Sequence, residues 1–222
     1  MRKEVVLTDD GSHTLHVEEL DECYHSTHGA VQESTHIFID AGLREFLSGE
    51  KPEIRVLEIG FGTGLNAFLT LLEAGKLKKF VYFFALELYP LAADAAIQLN
   101  YPEVLCEDRE LFEKIHRAPW GEDVDITSFF TLHKLKVDFT GFELPGKYDV
   151  IFFDAFSPEK QPEMWAEDGF RKIYEHSDDG AVITTYCAKG AVRRAMQSTG
   201  FVVERMPGPP GKREILRGRK IS

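Results

Sequence analysis

Apolar positions along the chain fall into short continuous runs separated by longer amphipathic stretches. Ile54, Val56, Leu57 and Ile59 form a β-branched run that is too short for a helix and stops at glycine, which predicts a buried strand. Residues 65–72 are apolar over a helical length. Residues 81–87 (VYFFALE) predict a second buried strand, and residues 91–99, introduced by Pro90, a helix. Residues 132–137 alternate apolar and basic as a third strand. Residues 148–154 (YDVIFFD) predict a fourth strand, 165–176 a helix, 181–186 a fifth strand and 190–198 a further helix. Residues 201–204 and 214–216 flank Pro207-Gly208-Pro209-Pro210-Gly211, a turn signal between two antiparallel strands.

The first 40 residues read as short extended pieces. Residues 14–17 alternate, Asp9-Asp10-Gly11 signals a turn, and 35–39 are β-prone. A helix over 41–47 precedes a linker at 48–52. Residues 101–130 are less regular, with helix over 111–116 and a break at Pro119-Trp120-Gly121. Strands alternating with helices predict an α/β fold, a doubly wound Rossmann-like sheet with an antiparallel edge strand. The expected organisation is one such domain over residues 51–222, with residues 1–50 as a small β-rich extension packed on it.

The chemistry concentrates at Glu58-Ile59-Gly60-Phe61-Gly62-Thr63-Gly64. A strand, a glycine turn and a helix N-terminus let a ligand lie against bare backbone. The spacing is G-x-G-x-G, with Leu65 where a dinucleotide fingerprint has its third glycine, and Glu58 stands two residues before the first. That form resembles motif I of the S-adenosylmethionine (SAM) methyltransferases. Glu87, at the end of the second strand, is placed to accept from ribose hydroxyls. Asp138 can accept from an adenine amino group, and Phe139 can cover the ring. Asp154 leaves the fourth strand at its carboxyl end, where ligands collect in open α/β sheets, so it is expected beside the glycine loop.

Composition changes this picture little. The chain has 222 residues, 43% hydrophobic and 28% charged, as in a globular protein with a full core. Cys23, Cys106 and Cys187 have no paired spacing, so reduced thiols and a cytoplasmic location are expected, with no signal peptide and no membrane span. Five histidines (His13, His16, His25, His28, His36) lack ligand spacing; surface or hydrogen-bonded roles are expected, and no metal. Net charge matters more. Its value is −11, but residues 189–222 hold nine bases against two acids, a balance of +7 that leaves −18 on the first 188 residues. A basic end on an acidic body suits local contact with a polyanion.

Longer motifs carry a more specific likeness. Gly60 to Asn66 (GFGTGLN), residues 154–165 (DAFSPEKQPEMW), Val192-Arg193-Arg194 and Gly211-Lys212-Arg213-Glu214 resemble the methyltransferase domain of the bifunctional tRNA wobble-uridine enzyme MnmC and its stand-alone form MnmD. Tyr24-His25-Ser26, Gly29, Glu33-Ser34 and Ile37-Phe38 are similar to that family's opening motif. The resemblance covers roughly residues 5–219; Tyr186-Cys187 departs from it, where small hydroxyl residues are expected.

The resemblance implies methyl transfer from SAM to the exocyclic amine of 5-aminomethyl-(2-thio)uridine at the tRNA wobble position. It implies a cofactor site of Glu58, Gly60, Phe61, Gly62, Gly64, Asn66, Glu87, Asp138 and Phe139, with Asp154 as the catalytic carboxylate. Arg193, Arg194, Lys212 and Arg213 are candidates for phosphates of the anticodon loop, and Phe156 or Trp165 for stacking on an unpaired base. MnmC carries a second, flavin-dependent domain, so a separate oxidoreductase is a conceivable partner. The alternatives are an aminopropyltransferase or small-amine N-methyltransferase on the same fold, and a non-catalytic RNA- or partner-binding protein.

Overall fold

An eight-stranded sheet carries the functional residues in the computed structural model, which describes residues 2–221. Its strands are β4 (Glu53–Ile59), β5 (Phe80–Glu87), β6 (Asp123–Thr127), β7 (Phe130–Lys136), β8 (Tyr148–Phe153), β9 (Ser177–Thr185), β10 (Val202–Pro207) and β11 (Glu214–Arg219). They are ordered β10-β11-β9-β8-β4-β5-β7-β6. β9, β8, β4, β5 and β7 run parallel, while β11, β10 and β6 are antiparallel to their neighbours. The chain steps outward from β4 through β5 to β7, then returns to the other side of β4 with β8 and β9. That reversal opens a crevice beyond the carboxyl ends of β4 and β8.

Both faces are covered, so the central strands read as continuous apolar runs. All six residues of β8 are buried. α3 (Leu65–Leu77) buries Leu65, Phe68 and Leu71 on one face. α7 (Glu167–Glu175) and α8 (Gly190–Ser198) cover the other through Phe170, Ile173, Val192 and Met196.

The N-terminal residues form a separate antiparallel sheet of β1 (Lys3–Leu7), β2 (His13–Val17) and β3 (Glu22–Cys23). Residues 35–39, expected as strand, are helical. α1 (Ala30–Ser34) continues into a π-helical stretch, Thr35–Leu43, and then α2 (Arg44–Leu47). Ile37, Phe38 and Ile39 are β-branched or aromatic, but all three are buried against the sheet, and that packing overrides local propensity.

The helix expected over 91–99 is only one turn, α4 (Ala93–Ala96). The irregular segment resolves into α5 (Tyr101–Leu105), α6 (Arg109–Arg117) and β6, which pairs with β7 as a hairpin. The helix expected over 165–176 begins as a 3-10 turn, Pro162–Trp165, before α7. No helix among the described residues is long and apolar enough to cross a membrane.

Candidate active site

The crevice holds a cavity of about 370 Å³. The glycine loop forms one wall. Gly60 and Phe61 donate backbone N–H to Leu86 O at 3.0 and 3.2 Å, so the loop starts bonded to the end of β5. Gly60 (φ +93°) sits where an added Cβ would be 2.5 Å from Asp154 O, and Gly62 (φ +49°) where it would be 2.9 Å from the Tyr24 ring. These glycines are required because neighbouring segments press on the loop. Gly64 (φ +71°) is the N-cap of α3, packed on His116 and Phe61, and does not line the cavity.

Two buried histidines brace the loop, His25 from the cavity wall and His116 from behind it. His25 Nε2 is 2.7 Å from Thr63 Oγ1, and His116 Nε2 is 3.1 Å from Thr63 O. Burial pulls them down to about 4 and about 3, with the Lys134 charge adding to the effect at His116, so both are neutral at pH 7. Lys134 of β7 is 1% exposed; its Nζ donates to Ile115 O (2.8 Å) and His116 O (3.1 Å), the end of α6, and lies over the Phe61 and Trp120 rings. Burial lowers this ammonium to about 8.

Carboxyl groups dominate the polar lining. Glu87 is fixed by accepting from Gly62 N–H (3.0 Å) and Tyr89 N–H (2.7 Å), which leaves lone pairs toward the cavity. Asp138 stands at the exposed rim, where one oxygen caps a 3-10 turn through Thr140. Phe139 borders the cavity, but its ring is buried near Phe153 and under Lys172.

Asp154 lies beside the glycine loop as expected. Its N–H donates to Ile59 O (2.9 Å), and Asn66 Nδ2 donates to its Oδ2 (2.9 Å). Burial, with the Glu33 charge adding, raises Asp154 to about 8. Glu22, Glu33 and Glu163 border the same cavity, which suits a ligand with positive centres.

Other expected site residues sit elsewhere. Glu58 is fully buried behind the loop and does not reach the cavity. Neither carboxyl oxygen has a hydrogen-bond partner among the described residues, and burial drives the group well above the carboxylate range. Trp165 is 6% exposed and packs on Phe153 and Tyr186, with its Nε1–H on Phe156 O (2.8 Å). It is core, not a free stacking platform. Phe156 does line the cavity, edge-on to Tyr24 with centroids 5.0 Å apart.

Lys212 also lines the cavity and pairs with buried Glu33 at 3.3 Å. Arg193 is half-buried on α8, and Arg194 and Arg213 are exposed. The basic end is mostly neutralised internally. Arg217 and Arg219 pair with Glu45, Arg205 with Glu214, Lys189 with Glu159, and Lys220 donates to Tyr174 O and Ser177 O. Among the described residues only Arg193, Arg194 and Arg213 of the nine bases are left without such a partner.

Sequence reasoning placed none of Tyr24, His25, Glu33, His116 or Lys134 in the site, beyond expecting a surface or hydrogen-bonded place for His25. The first three fall inside the opening motif, which was the available signal; the last two carried none. The histidines form no cluster suited to a metal among the described residues.

A family model described as S-adenosyl-L-methionine-dependent methyltransferase matches residues 124–221. The bifunctional tRNA 5-methylaminomethyl-2-thiouridine biosynthesis protein MnmC of Actinobacillus pleuropneumoniae is 30% identical over 243 aligned residues, covering 96% of this chain and 35% of the relative. That of Leptospira borgpetersenii is 31% identical, covering 91% and 33%. The chain thus spans about a third of the length of these curated relatives. The crystal structure of MNMC2 from Aquifex aeolicus is similar with a TM-score of 0.78 at 28% identity, over 98% of this chain and 70% of that one. Spermidine synthase from Thermotoga maritima shares the fold, with a TM-score of 0.60 at 12% identity over 100% and 72%. The glycine cradle, the anchored acid at the end of β5 and these likenesses agree on a SAM-dependent methyltransferase that is similar to the methyltransferase part of MnmC.

Proposed function

We propose that the protein transfers the SAM methyl group to the exocyclic amine of 5-aminomethyl-(2-thio)uridine at the tRNA wobble position. The observation that carries this reading is a buried carboxyl, Asp154, beside the glycine loop in a cavity lined by acids. SAM supplies an activated methyl on a sulfonium, so the protein's main task is alignment. Gly60 and Gly62, which line the cavity, present backbone to the methionine and ribose parts, Glu87 holds the ribose hydroxyls, and Asp138 takes the adenine amino group. The reacting nitrogen needs a free lone pair. Asp154 accepts a hydrogen bond from the amine, orients it, and accommodates the proton released as the N–C bond forms.

Arg193, Arg194 and Arg213 are the free cations for anticodon phosphates. The decisive experiment incubates the protein with SAM and tRNA bearing the aminomethyl group, then measures wobble nucleosides by mass spectrometry. A gain of one methyl on that nucleoside is expected, and its absence ends the reading. The fold shared with spermidine synthase, together with the acidic lining, keeps aminopropyl transfer as the second reading. Decarboxylated SAM with putrescine tests it in parallel.

A further inference from the structure

Glu33 and Lys212 come from opposite ends of the sequence and meet in the wall of the Asp154 cavity. Glu33, on α1, is buried; its Oε2 accepts from Ser26 N–H at 2.7 Å. Its Oε1 makes no hydrogen bond among the described residues, and its one cationic neighbour is Lys212 Nζ at 3.3 Å. Lys212 belongs to the β10–β11 turn; its ammonium lies over the Tyr186 ring, 4.9 Å from the centroid. That ring is pinned by its hydroxyl, which donates to Ala155 O at 2.9 Å, next to Asp154. The nearby charges of Glu33 and Lys212 both reach Asp154, with opposite sign.

A buried carboxylate oxygen without a full hydrogen bond is costly unless something fills it. Here the filling is incomplete, and it faces the cavity that holds Asp154. We infer that the Glu33–Lys212 pair is the second half of the acceptor site: it opens to admit the aminomethyl group as its ammonium, Glu33 and Asp154 then flank the nitrogen, and the ammonium passes one proton to a flanking carboxylate before its freed lone pair attacks the methyl. Lys212 is the resting counter-ion that the ligand displaces. In this role Lys212 is not a phosphate contact, and Glu33 selects an aliphatic ammonium over a neutral substituent. The inference rests on the proposed substrate class.

The test measures Kd for two tRNAs, one with 5-aminomethyluridine and one with unmodified uridine at the wobble position, and takes their ratio. Glu33→Gln keeps a carbonyl oxygen for Ser26 N–H, and an unchanged SAM Kd checks that the fold survives. The ratio is expected to shrink roughly tenfold or more in Glu33→Gln, as for loss of a hydrogen bond to a charged group. Lys212→Met removes the competing cation and is expected to widen the ratio without changing the salt slope. An unchanged ratio in Glu33→Gln, or an unchanged or narrowed one in Lys212→Met, overturns the inference. A wild-type protein that does not discriminate the two tRNAs overturns the substrate reading instead.

Discussion

At Asp154, burial raises the carboxyl to about 8, whereas its ordinary value is 3.8. In the ligand-free protein the folded state therefore binds this proton more tightly than the unfolded chain. A raised carboxyl adds stability that is complete below 3.8 and is lost as pH rises toward 8. His25 and His116, both lowered by burial, act with the opposite sign on the acid side, where the unfolded chain takes up protons that the folded one refuses. The total curve mixes these effects, so the clean measurement is a difference. Asp154→Asn should be more stable relative to wild type at pH 8 than at pH 5, by urea unfolding at the two pH values. Asp154→Ala should lower kcat by about 10²–10⁴ in a single-turnover methylation assay. Its SAM Kd should stay within a few-fold by calorimetry, because the glycine loop and Glu87 are untouched. A residue of this kind was legible from its place at the end of a strongly apolar strand. Its altered acidity was not, because that depends first on burial in the folded crevice and then on Glu33, a residue 121 positions away in the chain.

Among the elements, the glycine loop joins two kinds of constraint. Gly60 must have positive φ, and its missing Cβ leaves space for the backbone carbonyl of Asp154. Backbone cannot swing aside as a flexible side chain can. Gly60→Ala is expected to cost about 1–3 kcal/mol in chemical denaturation and to weaken SAM binding as the β4 and β8 ends separate. β4, β5 and β8 were legible to within a residue, since buried strands carry their signal in continuous apolar runs, whereas β9 begins four residues before the expected 181 and β11 runs three beyond the expected 216.

Two segments misled for physical reasons. Thr35–Leu43 has strand-like composition but packs as a π-helical turn against α3, β8 and β9. β6 (DVDIT) buries little, so nothing in its pattern separates a hairpin edge from a loop. Lys134 looked like the polar half of an alternating strand; it is buried because the end of α6 offers two carbonyls and Phe61 and Trp120 offer their faces.

Over the whole molecule, net charge and local charge point in different directions. The −11 total resists a polyanion, and most of the basic end is internally paired. Among the described residues of that end, Arg193, Arg194 and Arg213 are left for the proposed phosphate contacts. Replacing Arg193 and Arg194 by Ala should weaken tRNA binding and reduce the slope of log K against log salt by up to roughly one per lost contact. Filter binding at several salt concentrations reads both, and an unchanged slope removes these residues from the interface. The altered basic surface was beyond sequence reasoning, because Glu45 and Glu33 lie far from the bases they neutralise.

The two ends of the chain are stitched together beside the cavity. His36 Nε2 meets Pro207 O at 2.8 Å, Arg217 Nη1 donates to Ala41 O, and Glu33 meets Lys212, while Glu22 ties the N-terminal sheet to the loop after β8 by accepting from the Ser157 N–H and hydroxyl. During synthesis, then, the opening fifty residues can dock on α3, β8 and β9 as these emerge, but the Glu33–Lys212 and His36–Pro207 contacts wait for the β10–β11 hairpin. The wall that Lys212 supplies is therefore the late piece of the cavity, and ligand-induced protection from proteolysis should rise further once that hairpin is present.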